Sequence, residues 1–187
     1  MNTPAHVAVN LLLLARDPDH RQTTAIIGGA LIPDLVIIVF YAWQLWLGTA
    51  EDVIWSTEYH RPLWQAWIDS FNSIPLVTLA LLLGWYFCKP ALLLITASML
   101  LHILGDLPLH HDDAHRHFFP LLEWRFASPI SYWDPAHYGN WASLFEIAAV
   151  TAASIFLYWR YLLLRPWVSG IFAIYLLYWG YVWLVWI

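Results

Sequence analysis

Long runs of apolar residues almost without charge dominate this chain and leave it few ways to fold. Residues 24–48, 70–88, 141–159 and 166–187 are each long enough to cross a bilayer as a helix, which takes about 20 residues. A further run opens at Pro90 and leads into residues 91–101. Composition agrees: hydrophobic residues make up 61% of the 187 and charged residues 11%, against about 25% charged in soluble domains. The expectation is an all-α protein, a polytopic membrane bundle of about five spans forming a single integral membrane domain over residues 1–187. A short N-terminal helix at residues 4–15 and an interfacial cap at residues 118–140 complete it.

The segments between the runs fit this plan. Residues 4–15 are too short to span, with Pro4 suited to a first turn and Thr3 to the N-cap. Residues 16–21 form a turn around Pro18. Residues 49–69 are polar and suggest a short interfacial helix bearing Trp64 and Trp67. Residues 118–140 hold three prolines and many aromatic rings, as an interfacial cap does. The last run, residues 166–187, carries no charge and seven Trp or Tyr, and looks like a lipid-facing anchor. Gly28 and Gly29 in the first long run suit close helix packing.

Five of the eight basic residues, Arg16, Arg21, Lys89, Arg160 and Arg165, fall at turns that alternate onto one side, which should be cytoplasmic. The formal net charge of −5 and the lack of a basic patch argue against nucleic acid. A single cysteine, Cys88, rules out an intrachain disulfide and a thiolate metal cluster. The N-terminus lacks a basic region before its apolar run, so no cleaved signal peptide is expected.

Residues 102–117, HILGDLPLHHDDAHRH, hold five of the nine histidines and three of the thirteen acidic residues. His102 and Asp106 are four apart and share one helix face, as two ligands of one ion would. Pro108 should end that helix and turn His110 and His111 back toward it. Imidazole with carboxylate suits zinc, manganese or iron(II) better than magnesium or calcium; the divalent metal expected here is zinc, with manganese or iron as alternatives. The plainer reading is a solvated loop between membrane helices.

Depth links this segment to two distant residues. At about 1.5 Å per residue, His6 lies roughly 15 Å from the Arg16 level, Asp34 roughly 20 Å from Arg21, and His102 roughly 20 Å from Lys89. His6, Asp34 and His102 therefore meet at one level, with Asp106 about one turn beyond. Alone, His6 is as well read as a buried core histidine, and Asp34 after Pro33 as the cap of a broken helix. Together His6, Asp34, His102, Asp106 and His110 are the candidate metal ligands, and Asp34 and Asp106 the candidate catalytic carboxylates. Asn72, His111, Asp112, Asp113, His115, Arg116, His117, Asp134 and His137 are candidates for orienting the ligands, holding a second ion or binding substrate. For Asn72 a helix cap, for Arg116 pairing with Asp112 or Asp113, and for Asp134 an Asx turn before Pro135 are the ordinary readings. No G-x-S-x-G, H-E-x-x-H, P-loop or G-x-G-x-x-G motif occurs.

TPAHVAVNLLL at 3–13, GALIPDL at 29–35 and LLHILGDLPLHHDDAHRHFFP at 100–120 resemble the bacterial membrane-bound, predicted metal-dependent hydrolases, and SPISYWDPAHYG at 128–139 resembles a particular subgroup of uncharacterised proteins. More distantly, the early His6, the buried Asp34 and H-x-x-x-D followed by P-L-H at 102–110 are similar to the zinc-dependent phospholipase C and P1-nuclease superfamily. The resemblance implies an all-α fold and metal roles for His6, Asp34, His102, Asp106 and His110. It further implies hydrolysis of a phosphoester or lipid-linked substrate and a multi-pass place in the bacterial inner membrane, where the basic turns put the His/Asp segment on the exoplasmic side. The chain departs from the family after His60-Arg61, where Gln65 stands at the position of a second histidine. A non-catalytic membrane metal-binding protein or scaffold is the alternative.

Overall fold

The computed structural model describes residues 1–16 and 18–186; Asp17, in the turn expected after the first helix, and Ile187, the end of the last expected span, lie outside the described residues. Its order is α1 (Thr3–Leu14), α2 (His20–Trp46), α3 (Glu51–Val53) continued by a π-helical turn (Ile54–Glu58), α4 (Pro62–Phe71), α5 (Ile74–Tyr86), α6 (Pro90–Asp106), α7 (Gly139–Arg160) and α8 (Arg165–Trp186). Short 3-10 turns precede α7 and α8. The all-α expectation holds among the described residues, which include no strand.

Helix starts follow local chemistry. Asp19 caps α2 by accepting from the Gln22 N–H at 2.7 Å, and Ser73 caps α5 by accepting from Leu76. Proline stands in the first turn of α1, α4, α5 and α6, where its missing N–H costs nothing. Asn2, not Thr3, is the N-cap residue of α1; the Thr3 hydroxyl is committed elsewhere. Pro33 does not break α2, which runs through it to Trp46, about 40 Å at helical rise. Asp34 therefore sits inside a helix rather than at a cap.

Among the described residues, three segments are long and apolar enough to cross a membrane: His20–Trp46, Gly139–Arg160 and Leu162–Val182. The expected span at residues 70–88 is shorter, since α5 covers only Ile74–Tyr86. Asn72 and Ser73 separate α4 from α5, and the two helices meet at a 42° bend. α6 has 17 residues, about 25 Å, short of a full hydrocarbon core.

Helix α6 packs most extensively against α2 and also against α5 and α1. Gly29 makes the α2–α6 approach possible, since a Cβ there would lie 2.2 Å from the Ile95 carbonyl oxygen and 2.7 Å from Ser98 Cβ. Gly28 faces open space, so the packing argument applies to Gly29 alone. The Ser98 hydroxyl donates to the Ile26 carbonyl, and the Asn10 amide donates to Ser98, tying α1, α2 and α6 together. α1 is wrapped by α2, α6, α7 and α8. Val7, Leu11, Ile26, Leu157 and Leu164 form its main apolar core.

The stretch after α6 is irregular and is pinned by its backbone. Ser128 N–H donates to the His110 carbonyl and Tyr132 N–H to the Leu109 carbonyl. The Ser128 hydroxyl donates to Pro108. Ile74 N–H donates to the His117 carbonyl, and the Ser73 hydroxyl to that of Phe119, fixing the cap to the start of α5.

Candidate metal centre

α1, α2 and α6 bring His6, Asp34, His102 and Asp106 to one point. His6, His102 and Asp106 are buried and place ligand atoms within 4.8 Å of one another, a group able to hold a metal ion. His6 Nε2 lies 2.9 Å from Asp106 Oδ1 and His102 Nε2 3.0 Å from Oδ2. Asp34 Oδ1 is 3.5 Å from His102 Nε2, while Asp34 Oδ2 accepts from the Thr3 hydroxyl at 2.5 Å. The α-amino group of Met1 also reaches Asp106 Oδ1, at 2.6 Å.

The protonation pattern of His102 bears on what the site holds. Its Nδ1 lies 2.7 Å from the Ala30 carbonyl oxygen; a carbonyl only accepts, so Nδ1 carries the proton. Nε2 is buried without a hydrogen-bond partner, yet two carboxylate oxygens lie close to it. A lone pair facing two acceptors is unfavourable unless a cation stands between them, either a second proton or a metal ion. The N/O donor set fits zinc, manganese or iron(II). The His6 and His102 rings are stacked, with centroids 3.5 Å apart and planes 10° from parallel. Parallel rings direct their in-plane lone pairs along parallel lines, so joint ligation of one ion requires a ring to tilt.

Around this centre, Pro108 turns the chain so that His110 Nε2 stands 3.4 Å from Asp106 Oδ1. His110 Nδ1 lies 2.9 Å from Asp113. Burial disfavours the His110 cation, but the carboxylates of Asp106 and Asp113 outweigh it and raise its pKa to about 9. Asp113 is held below the usual carboxylate range: burial works against this, and His110 outweighs it. His115 is buried, and burial together with the His110 cation pushes it down to about 4. His117 is buried too, its Nδ1 3.3 Å from the Asn72 carbonyl.

Most of the other candidates make contacts within the cap and at the ends of α4 and α6. Asn72 donates its amide to the Ile68 carbonyl at the end of α4. Arg116 pairs with neither Asp112 nor Asp113: its backbone N–H and Nε donate to Asp69, and its guanidinium also meets Glu123. Asp112 is exposed. His111 donates from Nδ1 to the Ser128 carbonyl and stacks on His137 at 3.7 Å. Asp134 forms the expected turn, accepting from Ala136 N–H, and also bonds His137.

Two buried carboxylates escape the sequence reading. Glu146 in α7 accepts from the Asn2 backbone and side-chain amides at 3.0 and 2.6 Å and from the Tyr175 hydroxyl at 3.0 Å. It is the one charged residue within residues 141–159, and an acid inside a span is by itself a signal. Asp69 is fully buried and holds Arg116 from α4, with Arg125 3.8 Å away; nothing local in the sequence points to it.

Comparison with models of protein families, with curated proteins and with solved structures finds no match in any of the three.

Proposed function

We propose that this chain is a membrane-embedded, divalent-metal-dependent hydrolase acting on a phosphoester or lipid-linked substrate. The observation that carries the proposal is the buried His102 Nε2, set 3.0 Å from Asp106 and 3.5 Å from Asp34, with His6 stacked beside it. His6, His102 and Asp106 would hold the ion, with Asp34 and His110 next to them. Bound there, a zinc, manganese or iron(II) ion supplies Lewis acidity and makes water more acidic. Asp34 is the member most open to solvent, its side chain 22% exposed. Thr3 orients it, so Asp34 is the carboxylate placed to take a proton from an attacking water.

In the membrane we place α2, α7 and α8 as full spans, the bent α4–α5 pair as one more, and α6 as a fifth, short one beside α2. The basic turns set one face in the cytoplasm, so the metal centre and its cap lie toward the exoplasmic face of a bacterial inner membrane.

The deciding experiment is elemental analysis of detergent-purified protein beside His102→Ala and Asp106→Ala, followed by phosphodiester and phospholipid hydrolysis assays. About one or more metal ions per chain, lost in both variants together with turnover, is the expected result. Full metal content in both variants sinks the assignment.

A second reading is a non-catalytic metal-binding protein. It is favoured by Asp106 Oδ1, which already meets Met1, His6 and His110, and by the burial of the centre beneath its cap. It predicts stoichiometric metal without turnover.

A further inference from the structure

At the end of α2 away from Arg21, a cavity of about 840 Å³ opens between α2, the turn after it and the start of α4. Its volume is within the range of small-ligand sites. The polar lining residues are Gln44, Thr49, Glu58 and Arg61, and Trp43 and Trp64 stand among the apolar ones. The polar groups are ordered relative to each other. The Thr49 hydroxyl donates to Gln44 Oε1, and Gln44 Nε2 donates to Glu58 Oε2 at 3.4 Å. Glu58 Oε1 accepts from Arg61 at 2.7 Å. One wall of the cavity thus carries a carboxylate, fixed on one side by a buried amide, next to a guanidinium whose side chain is 62% exposed.

We propose that this cavity binds the headgroup of a zwitterionic phospholipid. The inference rests on the membrane placement above and not on hydrolysis. Trp55, Tyr59 and Trp64 pack around Phe40, and Trp43 packs on Trp46, at this end of the fold, as aromatic side chains do at the headgroup level of a bilayer. A lipid there presents phosphate and ammonium a few bonds apart. Arg61 matches the phosphate; Glu58 and the indole faces match the ammonium. An ion pair already in place exchanges one partner for two, keeping net charge unchanged. Phosphatidylglycerol offers Glu58 hydroxyl donors but no cation, and its net negative charge is repelled by the carboxylate.

The test is native mass spectrometry of the full-length protein in detergent, titrated with dioleoyl phosphatidylethanolamine or dioleoyl phosphatidylglycerol, with and without chelator. The expected result is one phosphatidylethanolamine per chain, retained about tenfold better than phosphatidylglycerol. Glu58→Gln should erase that preference, and Arg61→Gln should weaken retention of both lipids. Arg61 is exposed, so its variant keeps the fold even if Glu58→Gln does not. The same outcome is expected with chelator present, which separates this site from the metal centre. Equal retention of the two lipids, a preference for phosphatidylglycerol, or a preference that survives Glu58→Gln overturns the proposal.

Discussion

His102 donates its Nδ1 proton to the backbone carbonyl of Ala30 across the α2–α6 interface, at 2.7 Å. The bond fixes the tautomer and aims Nε2 at the carboxylates, and it exists only because the two helix backbones approach closely. One residue before Ala30, Gly29 permits that approach. Gly29→Ala should push α2 from α6, lower the thermal midpoint by several degrees and weaken metal binding about tenfold or more. Gly28→Ala is the control, since nothing lies within 4 Å of its new methyl. It should be neutral or slightly stabilising, because alanine is the better helix former. Metal titration and melting of the two variants side by side check this; equal effects would mean that helix approach does not set the site.

Glu146 should act on the metal through α1. Its oxygens take both Asn2 donors and the Tyr175 hydroxyl, so α7 and α8 hold the segment that carries His6 one turn later. In Glu146→Gln one acceptor becomes an NH₂ group that faces a donor. Amide exchange over residues 2–8 should speed up, and metal affinity should fall several-fold, while His102→Ala abolishes binding outright. Unchanged exchange in that segment would remove Glu146 from the account.

Asp69 latches the cap. Removing one partner of a buried ion pair leaves the other charge unpaired, at a cost of about 3–5 kcal/mol. Asp69→Ala leaves Arg116, whose side chain is only 14% exposed, with the exposed Glu123 as its remaining carboxylate, and should destabilise the fold by up to that order. Arg116→Ala should cost a similar amount, and the double variant much less than the sum. A double-mutant cycle by denaturant titration gives the coupling, and additive effects would show that the latch is not a unit.

The parts of this site that are legible in the sequence are those governed by helix geometry. Helical rise is constant, so His6, Asp34 and His102 can be placed at one depth from the basic turns alone. The i, i+4 spacing joins His102 to Asp106, and Pro108 marks where α6 stops. The cap offers no such ruler. Arg116 finds Asp69 across 47 residues and not its neighbours Asp112 and Asp113, because an irregular segment has no period from which to read direction. A second limit is length: residues 70–88 read as a span of their own, but Asn72 and Ser73, which end α4 and cap α5, start that helix only at Ile74 and leave it 13 residues. Thr3 shows a third limit: an N-cap by propensity, it donates to Asp34 instead, a tertiary contact that local preference does not contain.

The two histidines above the centre should give the metal-free protein a stability maximum near neutral pH. His115 is pushed down to about 4 by burial and the neighbouring His110 cation. The unfolded chain therefore binds the extra proton between pH 6.5 and 4, and stability falls as pH drops through that window. His110 goes the other way: despite burial, Asp106 and Asp113 raise it to about 9. Its contribution is complete below 6.5 and is lost as pH rises toward 9. Melting in chelator from pH 4.5 to 9.5 should therefore show two limbs with a maximum between them. His115→Asn should flatten the acid limb and spare the alkaline one, whereas His110→Asn should remove the alkaline limb and also weaken the acid limb, because it takes away the cation that helps hold His115 down. A midpoint that climbs steadily to pH 9 would show that His110 is not held as a cation between its two carboxylates.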